Sequence, residues 1–460
     1  MVIEAEGKVP AAAASVLVAT VRGARRMPYC LVSGSAAAAG SGRQEEEEEV
    51  RIFYQRYGHG ATKVLLIIGA YTAAAFSSSP VEKTFSNPDD PLVRAHFRNA
   101  GFAGTHDSWG PQVKGLTGAV DPVDEEAPAD DGDGGAAADE GVEVCCFDNR
   151  GVGRSSVPAQ KSQYTTAIMA NDALALMDHL GWRRAHVFGH SMGSMIAAKL
   201  AAMAPERVAS LALLNTTGGG YQCIPKVDWH TISLACRFLR ARTPEQRAIL
   251  DLEVHYTREY LEETVGSSTR RQMLYQEYVK GLSSGGMQSR HGFEGQLNAC
   301  WTHQLSTKEL DRIRSAGFLV LVIHGRYDIV AQLYHAKRLA EKLQPAAKLV
   351  ELHGGHLVSN ERPAEVNMSL MELIKASRSN TDLKEWSNIP NNSDGILVGS
   401  PGCLTRRNGD SVNYFMLTYN LLGKLQLILL FFFGVFYVIL EHTRRIIRIL
   451  KPVRVSASTL

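Results

Sequence analysis

Residues 189–193 read Gly-His-Ser-Met-Gly, a G-x-S-x-G pentapeptide between a short apolar run and an alanine-rich helical pattern. The run at 185–188 predicts a buried strand, and residues 194–203, rich in Ala, Met, Ile and Leu, predict a helix. Between them the chain must reverse so tightly that glycines fit best beside the serine, whose hydroxyl is left exposed at the helix N-terminus. The sequence therefore predicts that Ser191 lies on a nucleophile elbow, whereas the same five residues in isolation would also suit a surface turn.

Apolar runs and helical patterns alternate along most of the chain. The runs that predict strands are 50–57, 63–68, 142–147, 185–188, 211–214, 318–323 and 348–352. Helical patterns lie between or after several of them, at 164–180, 192–203, 331–343 and 363–376. This alternation predicts an α/β fold with a doubly wound, mostly parallel sheet, whose functional sites lie at the carboxyl ends of the strands.

The predicted domain plan is one α/β core, at 50–215 and 316–378, divided by a helical insertion at 216–315 that is rich in aromatic residues. An insertion of this length beside an active site is usually a lid that encloses substrate, and Trp301 is its candidate substrate-binding residue. The alternative is a helical subdomain whose aromatic residues fill its own core.

Two irregular insertions are predicted within the first part of the core. Residues 70–101 are rich in Ser, Pro, Asn and Asp and carry no regular pattern. Residues 121–140 hold nine acidic and no basic residues, too polar a composition to order itself by burial. Outside the core, residues 1–49 are expected to be a disordered extension and 379–420 a linker.

The C-terminal region carries an apolar run at 425–440, followed by a basic tail at 444–460. Sixteen helical residues reach roughly 24 Å, short of a ~30 Å hydrocarbon core, so a span would have to extend over 421–443. The run favours a single transmembrane helix, with an interfacial or docking helix as alternatives. On this basis the protein is expected to be membrane-associated, with its catalytic domain in the cytosol.

Charge and cysteine content exclude several function classes. The net charge of +2 gives no case for nucleic-acid binding. The seven cysteines are scattered and form no C-x-x-C pair, so neither a disulfide framework nor a zinc site is indicated. No metal and no cofactor are expected.

A serine hydroxyl becomes a useful nucleophile when a base takes its proton and a third group orients that base. His-Gly-Arg-Tyr-Asp at 324–328 follows one predicted strand, and His-Gly-Gly-His at 353–356 follows the next. Because parallel strand ends meet at one edge of the sheet, Ser191, Asp328 and His356 are predicted to converge there as nucleophile, orienting acid and base.

Alternatives exist at two of these positions. His353 is a second candidate base, but His356 lies farther out on its loop. Asp311 is a second candidate acid, but it falls in a helical stretch, whereas Asp328 follows a strand. His190 is expected to pack beside the elbow as a structural residue.

The oxyanion that develops on the attacked carbonyl needs two backbone N–H donors, each worth about 3 to 4 kcal/mol. The amide of Met192 is the first candidate. The second should leave the loop after the strand at 63–68, where Phe102 is favoured and Ala70 is the alternative, since residues 70–101 interrupt that loop.

Together with Asp-Asn-Arg-Gly-Val-Gly-Arg-Ser at 148–155, these motifs resemble the α/β-hydrolase superfamily over residues 50–378, in particular simple esterases and the aminoacrylate hydrolase of pyrimidine breakdown. Three further segments are similar to a group of plant α/β-hydrolases: Arg-Ile-Phe-Tyr at 51–54, Gly-Thr-His-Asp-Ser-Trp-Gly-Pro at 104–111, and Cys-Trp-Thr-His at 300–303. In that group the strand glycine runs directly into the Phe-Ala-Gly loop, so residues 70–101 depart from the pattern.

The resemblance and the ordered triad imply a carboxylesterase- or lipase-like serine hydrolase. Its substrate would be a small-molecule or lipid carboxylic ester, amide or carbamate, cleaved through an acyl-enzyme. Serine at position 191 argues against an epoxide hydrolase or dehalogenase, which would carry aspartate there. The alternatives are a hydrolase-fold ligand receptor with slow or vestigial turnover and an acyltransferase, since fold alone does not decide function.

Overall fold

The computed structural model of the protein describes residues 28–32, 49–69, 104–123, 141–241, 243–285 and 288–388, together with eight helical positions between 429 and 444. The chain divides into two units, Met1–Asp394 and Gly395–Leu460. Most of the predicted irregular segments at 70–101 and 121–140 lies outside the described residues, as does the basic tail apart from position 444.

The first unit is built on one large sheet. The strands of this unit are β1 Tyr29–Val32, β2 Val50–Tyr57, β3 Thr62–Ile67, β4 Val142–Phe147, β5 Ala185–His190, β6 Val208–Leu214, β7 Thr264–Val265, β8 Ser268–Thr269, β9 Leu319–Gly325 and β10 Ala347–Leu352. β7 and β8 form a small hairpin of their own, and the other eight strands form the large sheet. The strand order is β1-β2-β4-β3-β5-β6-β9-β10. β2 pairs antiparallel with both β1 and β4, and every other neighbouring pair in this sheet is parallel. The predicted doubly wound, mostly parallel sheet is confirmed.

Helices cover both faces of this sheet. They are α1 Gly110–Thr117, α2 Thr166–His179, α3 Met192–Met203, α4 Trp229–Arg240, α5 Pro244–His255, α6 Arg258–Glu262, α7 Arg270–Gly285, α8 Arg290–Thr302, α9 Thr307–Ser315, α10 Leu333–Lys342, α11 Val358–Glu361, α12 Pro363–Arg378 and α13 Leu383–Asn388. Short 3₁₀ helices span His106–Trp109, Lys161–Gln163, Pro205–Arg207 and Gly220–Cys223. Helices α4 to α9 form a helical insertion between β6 and β9.

Alternate residues of β3 show why its sequence is apolar along nearly its whole length. Leu65 and Ile67 pack into a core with α2, α3 and α10. Val64 and Leu66 pack into a second core with α1 and α12 on the opposite face. A strand covered on both faces has no solvent side, so the period-two polar alternation disappears.

Two elements lie inside segments that the sequence assigns to an extension and a linker. β1, at 29–32, pairs antiparallel with the start of β2 and buries Cys30 and Val32. Helix α13 falls within 379–420, where the Trp386 indole is fully buried and donates a 2.9 Å hydrogen bond to the carbonyl oxygen of Val320. In both cases contacts distant in sequence order a short segment whose local pattern is weak.

The expected transmembrane helix at 421–443 is wrong, and with it the membrane-associated localisation. No helix in the part of the chain that the structure describes is long and apolar enough to cross a bilayer. The physical limit is length: a span needs about 20 apolar residues. The run at 425–440 has sixteen positions, one of them Gln426, and is bounded by Lys424 and Glu441.

Candidate active site

Ser191 occupies the turn between β5 and α3 in a strained backbone conformation, with φ 55° and ψ −122°. Positive φ is uncommon for a residue with a side chain and is tolerated where the surrounding structure enforces it. A Cβ on Gly189 would lie 2.2 Å from the carbonyl oxygen of Gly193, and a Cβ on Gly193 would lie 2.1 Å from that of Ile67. Gly189 is therefore required for the chain to turn here, and Gly193 is required for the turn to pack against the end of β3.

The structure brings together the three residues that the sequence predicts as a triad. Nε2 of His356 lies 2.9 Å from Oγ of Ser191, and Nδ1 of His356 lies 2.8 Å from Oδ2 of Asp328. Asp328 lies in the loop after β9, and His356 lies in the loop after β10. They meet because β5, β9 and β10 run parallel and end at the same edge of the sheet.

The loops after β9 and β10 are joined by backbone contacts. The amide of Arg326 donates to the carbonyl oxygen of Leu352 at 2.9 Å, and that of Tyr327 donates to Gly354 at 3.0 Å. A Cβ on Gly325 would lie 2.2 Å from the carbonyl oxygen of Gly355, so only glycine permits this approach. The two loops thus form one packed unit.

The Asp328 carboxylate is fully hydrogen-bonded. Oδ1 accepts from the amides of Val330 and Ala331, each at 2.8 Å. Oδ2 accepts from His356 Nδ1 and, at 2.7 Å, from Nδ2 of Asn215. These donors hold the carboxylate in place beside the imidazole.

The electrostatic environment keeps Asp328 ionised. Burial by itself raises the pKa of this carboxyl, but the charge and hydrogen bond of His356, together with His324 and Asn215, outweigh burial and lower the pKa to about 2. A negative charge therefore stands behind His356 at neutral pH, where it can stabilise an imidazolium.

Three further histidines surround His356 and are neutral at neutral pH. Burial lowers the pKa of His190 to about 3 and that of His255 to about 4, and it also lowers the pKa of His324. The rings of His190 and His255 lie 5.3 and 5.7 Å from the His356 ring.

The alternatives that the sequence leaves open lie elsewhere. His353 is exposed, its ring packs on Tyr327 at 4.7 Å, and its Nδ1 accepts from Arg362 at 3.3 Å. Asp311 pairs with Arg314 at 2.7 Å on exposed helix α9. His190 donates through Nε2 to the main-chain oxygen of His356 at 2.8 Å, so it supports the triad through the backbone.

Asn215 is a site residue that the sequence reading missed. Its Nδ2 donates both to Asp328 and, at 3.2 Å, to the carbonyl oxygen of Gly355, and its φ of 48° lies in the left-handed region that Asn tolerates. Asn215 follows β6 directly. The rule that singles out polar residues after parallel strands could therefore have found it.

The Met192 amide begins helix α3, where the first backbone N–H groups have no partner within the helix. A Cβ on Gly69, just after β3, would lie 2.6 Å from the Met192 nitrogen, so glycine keeps the space in front of this amide open. Phe102 and Ala70, the candidates for the second oxyanion donor, lie outside the described residues. Trp301 is on α8 with 48% of its surface exposed, and its role in substrate binding stays a prediction.

Within the described ranges, no group of three or more His, Cys, Asp or Glu side chains is arranged to hold a metal ion.

A doubly wound sheet, a serine on a strand-to-helix turn and later strands that end in Asp and His define the α/β-hydrolase class. The family model described as the alpha/beta hydrolase fold matches residues 101–363, more than half of the chain. The chain belongs to the α/β-hydrolase-fold family.

Relatives of this chain carry several names. A Mycobacterium tuberculosis protein named "Putative non-heme bromoperoxidase BpoC" is 27% identical over 242 residues, which cover 52% of this chain and 85% of that protein. A Caulobacter protein named "Putative carbamate hydrolase RutD" is 25% identical over 276 residues, covering 60% and 88%. The crystal structure of the enol-lactonase from Burkholderia xenovorans LB400 superposes with a TM-score of 0.47 at 20% identity, covering 71% of this chain and 97% of that one.

Proposed function

We propose that the protein is a serine hydrolase that cleaves a carboxylic ester, amide or carbamate of a small molecule or lipid through an acyl-enzyme. One observation carries the proposal: His356 lies between Ser191 and Asp328 within hydrogen-bonding distance of both. One relative is named a putative carbamate hydrolase, and carbamates are among the substrates proposed here.

In the first half-reaction, Oγ of Ser191 attacks the carbonyl carbon of the substrate while Nε2 of His356 takes the hydroxyl proton. The imidazolium that results is stabilised by Asp328, to which Nδ1 donates at 2.8 Å. The amide of Met192 donates to the developing oxyanion. His356 then gives its proton to the leaving oxygen or nitrogen, the bond to the leaving group breaks, and the acyl group remains on Ser191.

In the second half-reaction, water attacks the acyl carbon and gives a proton to Nε2 of His356. The tetrahedral intermediate collapses, the proton passes to Ser191 Oγ, and the carboxylic or carbamic acid leaves. Both halves use the same three residues. Each needs His356 to accept a proton at Nε2, which faces Oγ of Ser191 at 2.9 Å.

The test is covalent labelling with a fluorophosphonate probe, which reports an activated serine without requiring the natural substrate. Wild-type protein is expected to be labelled at Ser191, Ser191→Ala not at all, and His356→Ala at least about 100-fold more slowly. Ser315→Ala, an exposed serine at the end of α9, is the matched control and should be labelled at the wild-type rate.

Absence of labelling in well-folded wild-type protein would refute a serine hydrolase. A screen of activated esters, anilides and carbamates then ranks the substrate classes by kcat/KM. If the protein instead gains thermal stability with a ligand that it does not turn over, the receptor alternative takes precedence.

A further inference from the structure

The residues on either side of His356 are both held by hydrogen bonds, one to the helical insertion and the other to Glu361 of helix α11. The amide of Leu357 donates to the carbonyl oxygen of His255 at 3.0 Å. On the other side, the amide of Gly355 donates to Oε1 of Glu361 at 2.9 Å. The loop that carries His356 is therefore held on both sides.

Glu361 extends this connection to the insertion. Its Oε1 also accepts from the amide of Thr257 at 2.9 Å, and its Oε2 accepts from the Thr257 hydroxyl at 2.8 Å. The side chain is nearly fully buried. Burial raises the pKa of the Glu361 carboxyl, and the bonds from Gly355 and Thr257 oppose that rise. The buried Glu361 carboxyl thus bonds through one oxygen to the loop that carries His356. Through both oxygens it bonds to Thr257, the residue that caps helix α6.

Packing leaves this junction little room to move. A Cβ on Gly355 would lie 2.7 Å from the carbonyl oxygen of His255 and 3.1 Å from Oε1 of Glu361. The His255 ring lies against the His356 ring at an interplanar angle of 47°. A displacement of residues 255–257 would therefore be transmitted to the loop that carries His356.

We propose that Glu361 and Thr257 are positioning residues that align His356 between Ser191 and Asp328, so that the insertion at 255–257 holds the base of the proposed serine hydrolase in register. The inference rests on the proposed function only for its activity readout. A catalytic group must be held within about 0.5 Å of its productive position, and supporting hydrogen bonds commonly supply that restraint. The amide of Gly355, which directly precedes His356, donates to the Glu361 carboxyl, and Thr257 donates to the same carboxyl.

The experiment compares four variants of the full chain. Glu361→Ala removes the carboxyl, Thr257→Val removes the hydroxyl, and Thr257→Ser restores it on a smaller side chain. Tyr260→Phe is the matched control, because its hydroxyl donates to the carbonyl oxygen of Asn360 at 3.2 Å and so also joins the insertion to the core, but without bonding a residue that flanks His356.

Fluorophosphonate labelling of Ser191 is expected to slow about 100-fold in Glu361→Ala and about tenfold in Thr257→Val, the size expected for lost charge-assisted hydrogen bonds. Thr257→Ser and Tyr260→Phe should stay within about twofold of wild type. With a turned-over ester, the loss should fall on kcat and leave KM unchanged, because the substrate pocket is not altered.

A second readout does not depend on activity. The Nδ1 proton of His356, which is hydrogen-bonded to Asp328, is expected to give a downfield NMR signal that is absent in His356→Ala. It should shift or broaden in Glu361→Ala and Thr257→Val and persist in Tyr260→Phe. If Glu361→Ala does not fold, Thr257→Val with its Thr257→Ser rescue decides.

The outcomes separate the two proposals. An unlabelled but folded wild type refutes the serine hydrolase, and the NMR signal then still tests the positioning. Wild-type labelling rates and an unchanged signal in folded Thr257→Val and Glu361→Ala would overturn the positioning role. Equal losses in Tyr260→Phe would overturn it as well, because a general loosening of the insertion would explain them.

Discussion

A substitution that adds a single methyl group at Gly69 should impair the proposed oxyanion site. Gly69 follows β3 and faces the turn that carries Ser191 and the amide of Met192. A Cβ at this position would lie 2.6 Å from the Met192 nitrogen, 2.9 Å from the carbonyl oxygen of His190 and 3.1 Å from the amide of Gly193. Gly69→Ala therefore crowds the backbone of the elbow itself.

The size of the effect follows from these distances. To reach an ordinary contact of 3.4 Å, the new methyl group and the Met192 amide must separate by about 0.8 Å. A misplacement of about 1 Å costs on the order of 100-fold in rate, and loss of one oxyanion donor costs about 10² to 10³ in kcat. We expect Gly69→Ala to lower kcat by about 100-fold, equivalent to ~2.7 kcal/mol of transition-state stabilisation.

The assay is the rate of fluorophosphonate labelling together with kcat and KM for an activated ester. The loss should appear in kcat, because the oxyanion forms only after attack. Gly110→Ala is the matched control, since a Cβ there meets no atom within 4 Å. Thermal melting checks that Gly69→Ala is folded. A folded Gly69→Ala that reacts at the wild-type rate would show that the Met192 amide does not serve the reaction.

Three other predictions follow from buried charges. Asp328→Asn is expected to lower kcat by about 10³ to 10⁴ with little change in KM, measured by ester hydrolysis, because the amide cannot stabilise the imidazolium. Since the folded pKa of Asp328 is about 2, below its ordinary 3.8, its contribution to the free energy of unfolding is present above about pH 4 and lost as pH falls toward 2. Urea unfolding measured at about pH 5 and about pH 3 should show that the free energy of unfolding falls more between these pH values for wild type than for Asp328→Asn. An equal fall in both proteins would contradict this linkage. Asp172→Ala is expected to cost about 3 to 5 kcal/mol in urea unfolding, because it leaves the fully buried Arg150, now bound bidentately at 2.6 and 2.7 Å, without its carboxylate. Asp311→Ala, in the exposed pair with Arg314, is the control and should change stability little.

Most of the sheet could be predicted because its strands are covered on both faces. β2 and β4 have the predicted bounds, and the other predicted strands differ from the structure by three residues or fewer at either end. β1 could not be found in this way. It is four residues long at the edge of the sheet, and only its pairing with β2 orders it. The expected span at 421–443 was wrong because it relied on extending a run of sixteen positions past Lys424 and Glu441, and no described helix is long and apolar enough to cross a bilayer.

The sequence by itself determined the nucleophile turn and the order of the site residues. Gly189 is a local steric requirement, because its Cβ would meet the carbonyl oxygen of Gly193, and residues that follow parallel strands share one edge whatever the loops between them do. The tertiary structure decided which side chains meet there. His356 and Ser191 are 165 positions apart, and only the packed loops after β9 and β10 bring His356, and not His353, to the serine. Asn215 follows a strand and so fits the same rule, whereas the contacts of Glu361 with Thr257 and Gly355 join segments that no local pattern connects.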